Sequence, residues 1–153
     1  MATAERTAET VWQGDLVSGN GRLSLRSSGM LKDSPVTWAA RTQSPDGKTS
    51  PEELLAAAHA SCYAMAFAGA LVRKGTPPQE LDVTAVAGLD RMEQGFKVTT
   101  MDLNVRGRVP GLDQAAFEEA AKAAEQGCPI SNAIRNNVEI RLNATLESLT
   151  RQR

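Results

Sequence analysis

Apolar and polar residues alternate with a period of two through much of the first forty positions, and that spacing predicts short strands. Glu9 to Gln13 alternates into Trp12. Gly21 to Arg26 puts Leu23 and Leu25 on one face, and Pro35 to Arg41 does the same with Val36, Trp38 and Ala40. Gly14, Gly19-Asn20-Gly21 and Gly29 punctuate these runs, so an antiparallel meander is expected. After the turn signal Ser44-Pro45-Asp46-Gly47 the period changes. Ser50 is an N-cap residue, Pro51 suits a first helical position, and Glu53 completes a capping box. The helix predicted from there runs to Arg73 and Lys74 and stops at Gly75. About 24 residues at ~1.5 Å each make it ~36 Å long. It is rich in alanine on nearly every side, so burial all round, against another helix, is the expectation.

Alternation returns from Leu81 to Leu89 and from Lys97 to Val109, across a turn at Glu93-Gln94-Gly95. Asp113 opens a second helix, Gln114 to Gln126, which Gly127 closes. Cys128-Pro129 begins a short helical segment through Ile134, and Val138 to Leu146 reads as a last strand. Strands, long helix, strands, helix, strand is an α+β order, not a repeating βαβ one. A chain of 153 residues fits a single domain. It is read as a strand-rich part over 1–48, a central helix over about 51–74, and a strand-helix-strand part over 80–147.

Charge narrows the function. Seventeen basic residues against eighteen acidic ones leave a net charge of -1, with no long run of one sign. A nucleic-acid or anionic-membrane binder needs a basic face, so neither partner is expected. Met1 to Glu9 is polar and lacks the apolar stretch of a signal peptide. The apolar segment around Cys62 is interrupted by His59 and Ser61, so no bilayer crossing is expected. The expected location is the cytoplasm, where thiols stay mostly reduced. Two cysteines there point to redox or catalytic use more than to a permanent staple.

Those two are Cys62, in the middle of the long helix, and Cys128, at the mouth of the short one. Amides at a helix N-terminus stabilise a thiolate, which places Cys128 where its pKa could fall. Both could equally be small buried hydrophobes. Two cysteines and one histidine are too few for a zinc site. His59, on the same helix as Cys62, lacks the usual geometry of a hydrolase base brought from elsewhere in the fold.

The segment from Thr49 through Ser-Pro-Glu-Glu-Leu-Leu-Ala-Ala-Ala-His-Ala-Ser to Cys62 resembles the helix motif of the osmotically inducible protein C (OsmC) and organic hydroperoxide resistance family. Gly127-Cys-Pro-Ile-Ser131 resembles its second cysteine motif. The resemblance continues through Trp12-Gln-Gly14, Asp90, Gly95-Phe96 and Val109-Pro-Gly111. Ala58-His59, in place of a Gly-Tyr pair, points to the OsmC branch. The resemblance implies antiparallel sheets around a long central Cys-bearing helix, in an intertwined homodimer. It implies a thiol peroxidase acting on organic hydroperoxides, and less well on hydrogen peroxide, without metal, haem or flavin. Cys62 would be oxidised to a sulfenic acid and Cys128 would resolve it as a disulfide. A dithiol, by resemblance a lipoyl protein, would reset the pair. Arg41 would be the cation beside the thiolate, and Glu52 would orient it. Alternatives are a Cys62–His59 hydrolase or acyl transferase, or a non-catalytic stress or ligand-binding protein. Trp38, Met65, Phe67 and Met92 are candidate pocket walls.

Glu52 lies about ten residues before Cys62 on one predicted helix, ~15 Å along its axis. No carboxylate spans that distance. If Glu52 serves a Cys62, the expectation is that it serves that of a second subunit, with two sites per dimer at the interface.

Overall fold

Residues 1–148 are described in a computed structural model of the chain; the last five residues of the expected domain lie outside them. The contacts divide the chain into two units, Met1–Leu54 and Leu55–Arg153.

In the first unit, β1 (Ala8–Gln13), β2 (Asn20–Leu25) and β3 (Ser34–Val36) form the expected antiparallel meander, in the order β1-β2-β3. Trp12 and Val36 both pair with Gly21. A Cβ on Gly21 would stand 2.6 Å from a Val36 methyl and 2.9 Å from the Trp12 ring, so the sheet closes there because Gly21 has none. The third strand is shorter than its alternation predicts. Thr37 is extended, and its hydroxyl accepts the Ala40 N–H at 3.1 Å, which caps a short helix, α1 (Trp38–Thr42). Arg41 therefore sits in a helical turn, not at a strand end.

The long helix α2 (Pro51–Arg73) starts where the capping signal placed it. Ser50 Oγ accepts the Glu53 N–H at 3.1 Å. Glu53 accepts a hydrogen bond from the Thr49 hydroxyl at 2.6 Å, a variation on the capping box.

In the second unit, β4 (Glu80–Met92) and β5 (Gly95–Arg108) make an antiparallel hairpin, with Gly95 at a φ of 87° where the chain reverses. Helices α3 (Gln114–Gly127) and α4 (Pro129–Ile134) then carry the chain to β6 (Glu139–Leu146), which lies parallel to β5. A parallel partner needs such a crossover, and the two helices supply it. Asp113 caps α3 by accepting the Ala116 N–H at 2.8 Å.

The core of this unit is a stripe of α2 at a spacing of four, Tyr63, Phe67 and Leu71. It packs with Leu103 and Val105 of β5 and with Phe117, Ala121 and Ala124 of α3. The Phe67 ring lies 5.7 Å from Tyr63 and 5.1 Å from Phe117. Fully burying a side chain such as Phe67 contributes roughly 1.5–3 kcal/mol. Phe117 approaches the sheet over Gly107, where a Cβ would fall 2.6 Å from the ring.

All-round burial of α2 is not what is found in one copy. His59, Tyr63, Phe67 and Leu71 are buried, while Ala58, Ser61, Met65 and Val72 are exposed. By length and composition α2 is apolar enough to cross a membrane, so His59 and Ser61 do not interrupt it as expected. Its buried stripe belongs to a protein core.

Candidate active site

Cys62 precedes the core residue Tyr63 on α2 and is part-exposed. Cys128 is fully buried and serves two helices at once, ending α3 and starting α4. Its N–H donates to Glu125 O at 3.2 Å, and its carbonyl accepts the Asn132 N–H at 3.0 Å. Pro129 follows at the first position of α4, where a missing N–H costs nothing. The Cys128 side chain makes no capping hydrogen bond, and both cysteines are free thiols.

The two sulfurs are brought together. Burial is the largest influence on the Cys62 thiol and pushes its pKa up; the Cys128 thiol beside it adds to the rise. The backbone N–H of Ile130 opposes both by hydrogen bonding to the Cys62 sulfur. So the N-terminal turn of α4 offers an amide to Cys62, although the sequence suggested it would serve Cys128. The balance leaves Cys62 favouring the neutral thiol in a single copy, and a nucleophile would need a further positive group.

Cys62 opens onto a groove of about 650 Å³ between α2 and α3. Met65, Ala66 and Gly69 line it from α2, Ala123, Ala124 and Gly127 line it from α3, and Arg73 and Lys74 stand among its walls.

Arg41 and Glu52 form the second cluster, in the first unit. The guanidinium meets the carboxylate through three contacts: Nη2 to Oε1 at 2.7 Å, and Nε to Oε1 and Oε2 at 3.1 and 3.2 Å. Glu52 is nearly buried and Arg41 is about one-third exposed. The guanidinium also lies 5.8 Å from the centre of the Trp38 ring, within cation–π range. Arg41 borders an apolar cavity of about 530 Å³ that also touches Trp12, Leu23, Val36, Trp38 and Leu54.

Of the candidate walls, Met65 lines the Cys62 groove and Trp38 the apolar cavity. Phe67 is core with no exposure. Met92 stands exposed at the tip of the β4–β5 hairpin.

Tyr63 and Glu125, both near the thiols, were not singled out in the sequence, and His59 was weighed there only as a hydrolase base. Tyr63 is held neutral by burial, with Glu125 and Cys128 pushing the same way, and its hydroxyl donates to Ala121 O at 3.0 Å. His59 is fully buried with its Nε2 2.7 Å from Ser131 Oγ. Burial lowers its pKa more than Glu125 raises it, so the imidazole favours the neutral form. Glu125 is itself paired with Arg135 at 2.5 Å. His59 three places before Cys62 and Ser131 three places after Cys128 is a mirrored spacing that was visible, but nothing in one sequence says the two segments meet.

The sequence profile of the OsmC-like protein family matches residues 44–143, a stretch that holds Glu52, both cysteines and the helices that carry them. The chain belongs to the OsmC-like family. It is 36% identical over 146 residues to peroxiredoxin OsmC of Escherichia coli, covering 95% of this chain and 99% of that one. It is 35% identical over 95 residues to an organic hydroperoxide resistance protein of Xanthomonas axonopodis, covering 61% of this chain and 65% of that one. The crystal structure of an OsmC organic hydroperoxide resistance protein from Legionella pneumophila superposes with a TM-score of 0.72. That match has 26% identity and covers 95% and 99% of the two chains. OhrB of Bacillus subtilis gives a TM-score of 0.71 at 26% identity, covering 92% and 98%. The α+β arrangement of sheets and a long Cys-bearing helix is thus that of OsmC-like proteins.

Proposed function

We propose that this chain is a thiol-dependent peroxidase that reduces organic hydroperoxides, and hydrogen peroxide less well, through Cys62 and Cys128. The observation that carries the reading is the Cys62 sulfur beside both the Cys128 thiol and the Ile130 amide, in a chain 36% identical to a peroxiredoxin over nearly its whole length.

The Cys62 thiolate attacks the terminal peroxide oxygen. The O–O bond breaks, the departing alkoxide takes a proton to leave as an alcohol, and Cys62 becomes a sulfenic acid. The Cys128 thiolate then attacks that sulfur, hydroxide leaves as water, and a disulfide forms. A dithiol supplies the two electrons that restore both thiols by exchange; a lipoyl protein has suitable chemistry. None of these steps calls for a metal, haem or flavin.

The raised pKa of Cys62 in one copy gives Arg41 its role: a cation held by Glu52 that favours the thiolate. Because Glu52 lies ~15 Å along α2 from Cys62, the pair acts on Cys62 of a second copy in a homodimer. The exposed apolar face of α2, with Met65 and Val72, suits such a partner. On this reading the whole chain acts as one OsmC-like domain in the cytoplasm, where a dithiol is available. The hydrolase alternative is disfavoured because His59 is buried and engaged with Ser131.

The test is consumption of cumene hydroperoxide with a dithiol reductant by wild type, Cys62→Ser and Cys128→Ser, with oxidised forms mapped by mass spectrometry. Dithiol-dependent turnover by wild type alone, with a sulfenic acid at Cys62 in Cys128→Ser, is expected. Three equally inactive proteins with no 62–128 disulfide would overturn the proposal.

A further inference from the structure

The hydrogen bond between His59 and Ser131 joins the same two elements as the thiols do. His59 lies one turn before Cys62 on α2, and Ser131 lies one turn after Cys128 on α4. Nε2 and Oγ are 2.7 Å apart, and both residues have no exposure. A hydrogen bond in so dry a place is costly to break, because either orphaned partner stays without water. Among the described residues His59 Nδ1 has no partner, so the ring is fixed by packing and by Ser131 alone.

The short helix α4 needs such fixing. It has six residues, too few to hold its place by its own ladder. Its far end is secured to α3, where Arg135 donates to the Glu125 carboxylate at 2.5 Å and to the Glu125 carbonyl at 3.2 Å. Its face toward α2 is secured by Ser131. α2 in turn is bonded to α3 through the Tyr63 hydroxyl. Cys128 sits at the head of an element that continues from α3, packs Ile130 on the core, and is tied to α2 through His59. The favoured neutral state of the imidazole removes it as a charge partner for the Cys62 thiolate, so what it offers is position.

Position matters unequally to the two oxidation steps. Of the two thiols, only that of Cys62 takes part in the attack on the peroxide. Closing the disulfide requires the Cα atoms to come within roughly 4.4–6.8 Å with an S–S torsion near about 90°. We propose that His59 and Ser131 are positioning residues for the resolving step: their hydrogen bond holds α4 so that the Cys128 sulfur reaches the Cys62 sulfenic acid. The role rests on the peroxidase cycle proposed above. Without the bond, the sulfenic acid would persist and a second peroxide would carry it to the sulfinic acid. Attack itself should suffer less, since α4 gives Cys62 a single amide, that of Ile130.

The experiment is a single turnover of the full-length protein with one equivalent of cumene hydroperoxide. Sulfenic acid is trapped with dimedone, and the 62–128 disulfide is followed by quench and mass spectrometry. In Ser131→Ala and His59→Ala, disulfide closure is expected to slow roughly tenfold or more, with sulfenic acid formation within about threefold of wild type. The double variant should be no slower than the slower single one, because both remove the same bond. His59→Gln, whose amide can reach the Ser131 hydroxyl, should recover most of the rate. Equal slowing of both steps, or closure at the wild-type rate in Ser131→Ala, overturns the proposal. Should His59→Ala fail to fold, Ser131→Ala and His59→Gln decide. Closure driven by diamide is measured in parallel, with the same slowing expected. A wild type that forms no sulfenic acid with peroxide would sink the peroxidase reading, and the diamide arm would still decide the positional one.

Discussion

Replacing Glu52 by Gln tests how the proposed catalytic cation, Arg41, is held. The carboxylate carries three contacts to Arg41 between 2.7 and 3.2 Å, and it is nearly buried. A hydrogen bond to a charged group contributes roughly 1.5–3 kcal/mol net. An exposed ion pair contributes about 0–1 kcal/mol. Arg41 is 32% exposed, so the pair falls between these limits. Gln keeps one oxygen for the guanidinium but loses the charge and the second acceptor. A coupling of about 1.5 kcal/mol follows, to be read from a double-mutant cycle with Arg41→Gln in urea. In a chain of this size it corresponds to about 3–6 °C in Tm. If the pair is also what presents the cation to a Cys62, each single variant should slow sulfenic acid formation by roughly ten- to a hundredfold. A coupling under about 0.3 kcal/mol would show that the two side chains are not preorganised as a unit. Full Cys62 reactivity in Glu52→Gln would remove Glu52 from the site.

Alkylation of Cys62 by iodoacetamide, followed against pH, should have its midpoint above the ordinary thiol value of about 8.5 in Arg41→Gln, because burial and Cys128 both raise it. Wild type should have a lower midpoint, and identical profiles would exclude Arg41 as the thiolate's cation. His59 predicts an acid sensitivity. Its pKa is lowered by burial, with Glu125 of α3 opposing and Ser131 of α4 its neutral partner. Below about pH 6.5 the unfolded chain binds a proton that the folded chain resists, so stability should fall as pH drops through that window. His59→Gln should lessen the fall between roughly pH 7.5 and 5; an unchanged slope in urea titrations would refute it. Phe67→Ala should cost roughly 3–5 kcal/mol in urea unfolding, as a fully buried ring touching Tyr63 and Phe117. A loss below about 1 kcal/mol would return Phe67 to the role of a pocket wall.

The sequence by itself determined what local physics can decide. Ser50, Pro51 and Glu53 start α2 within one residue of where capping chemistry put it, and Asp113 does the same for α3. Period-two alternation located most strands, because a half-buried sheet needs that period. It misjudged the third strand, where one hydroxyl on Thr37 turned the alternating Trp38 and Ala40 into a helical turn. Both cysteine motifs were legible, and so was the axial distance that separates Glu52 from Cys62.

Tertiary structure decided which side chains meet. The parallel pairing of β6 with β5 follows from a crossover, and alternation carries no direction. The influence of the Ile130 amide and the Cys128 thiol on Cys62, and the bond from His59 to Ser131, join segments far apart in the chain. The alanine-rich surface of α2 offered two faces of similar composition. The core chose the one with Tyr63, Phe67 and Leu71, whose large side chains fill the space against β5 and α3, and left Met65 and Val72 outside. Periodicity reports which residues share a face, and only packing partners with the right shape determine which face is buried.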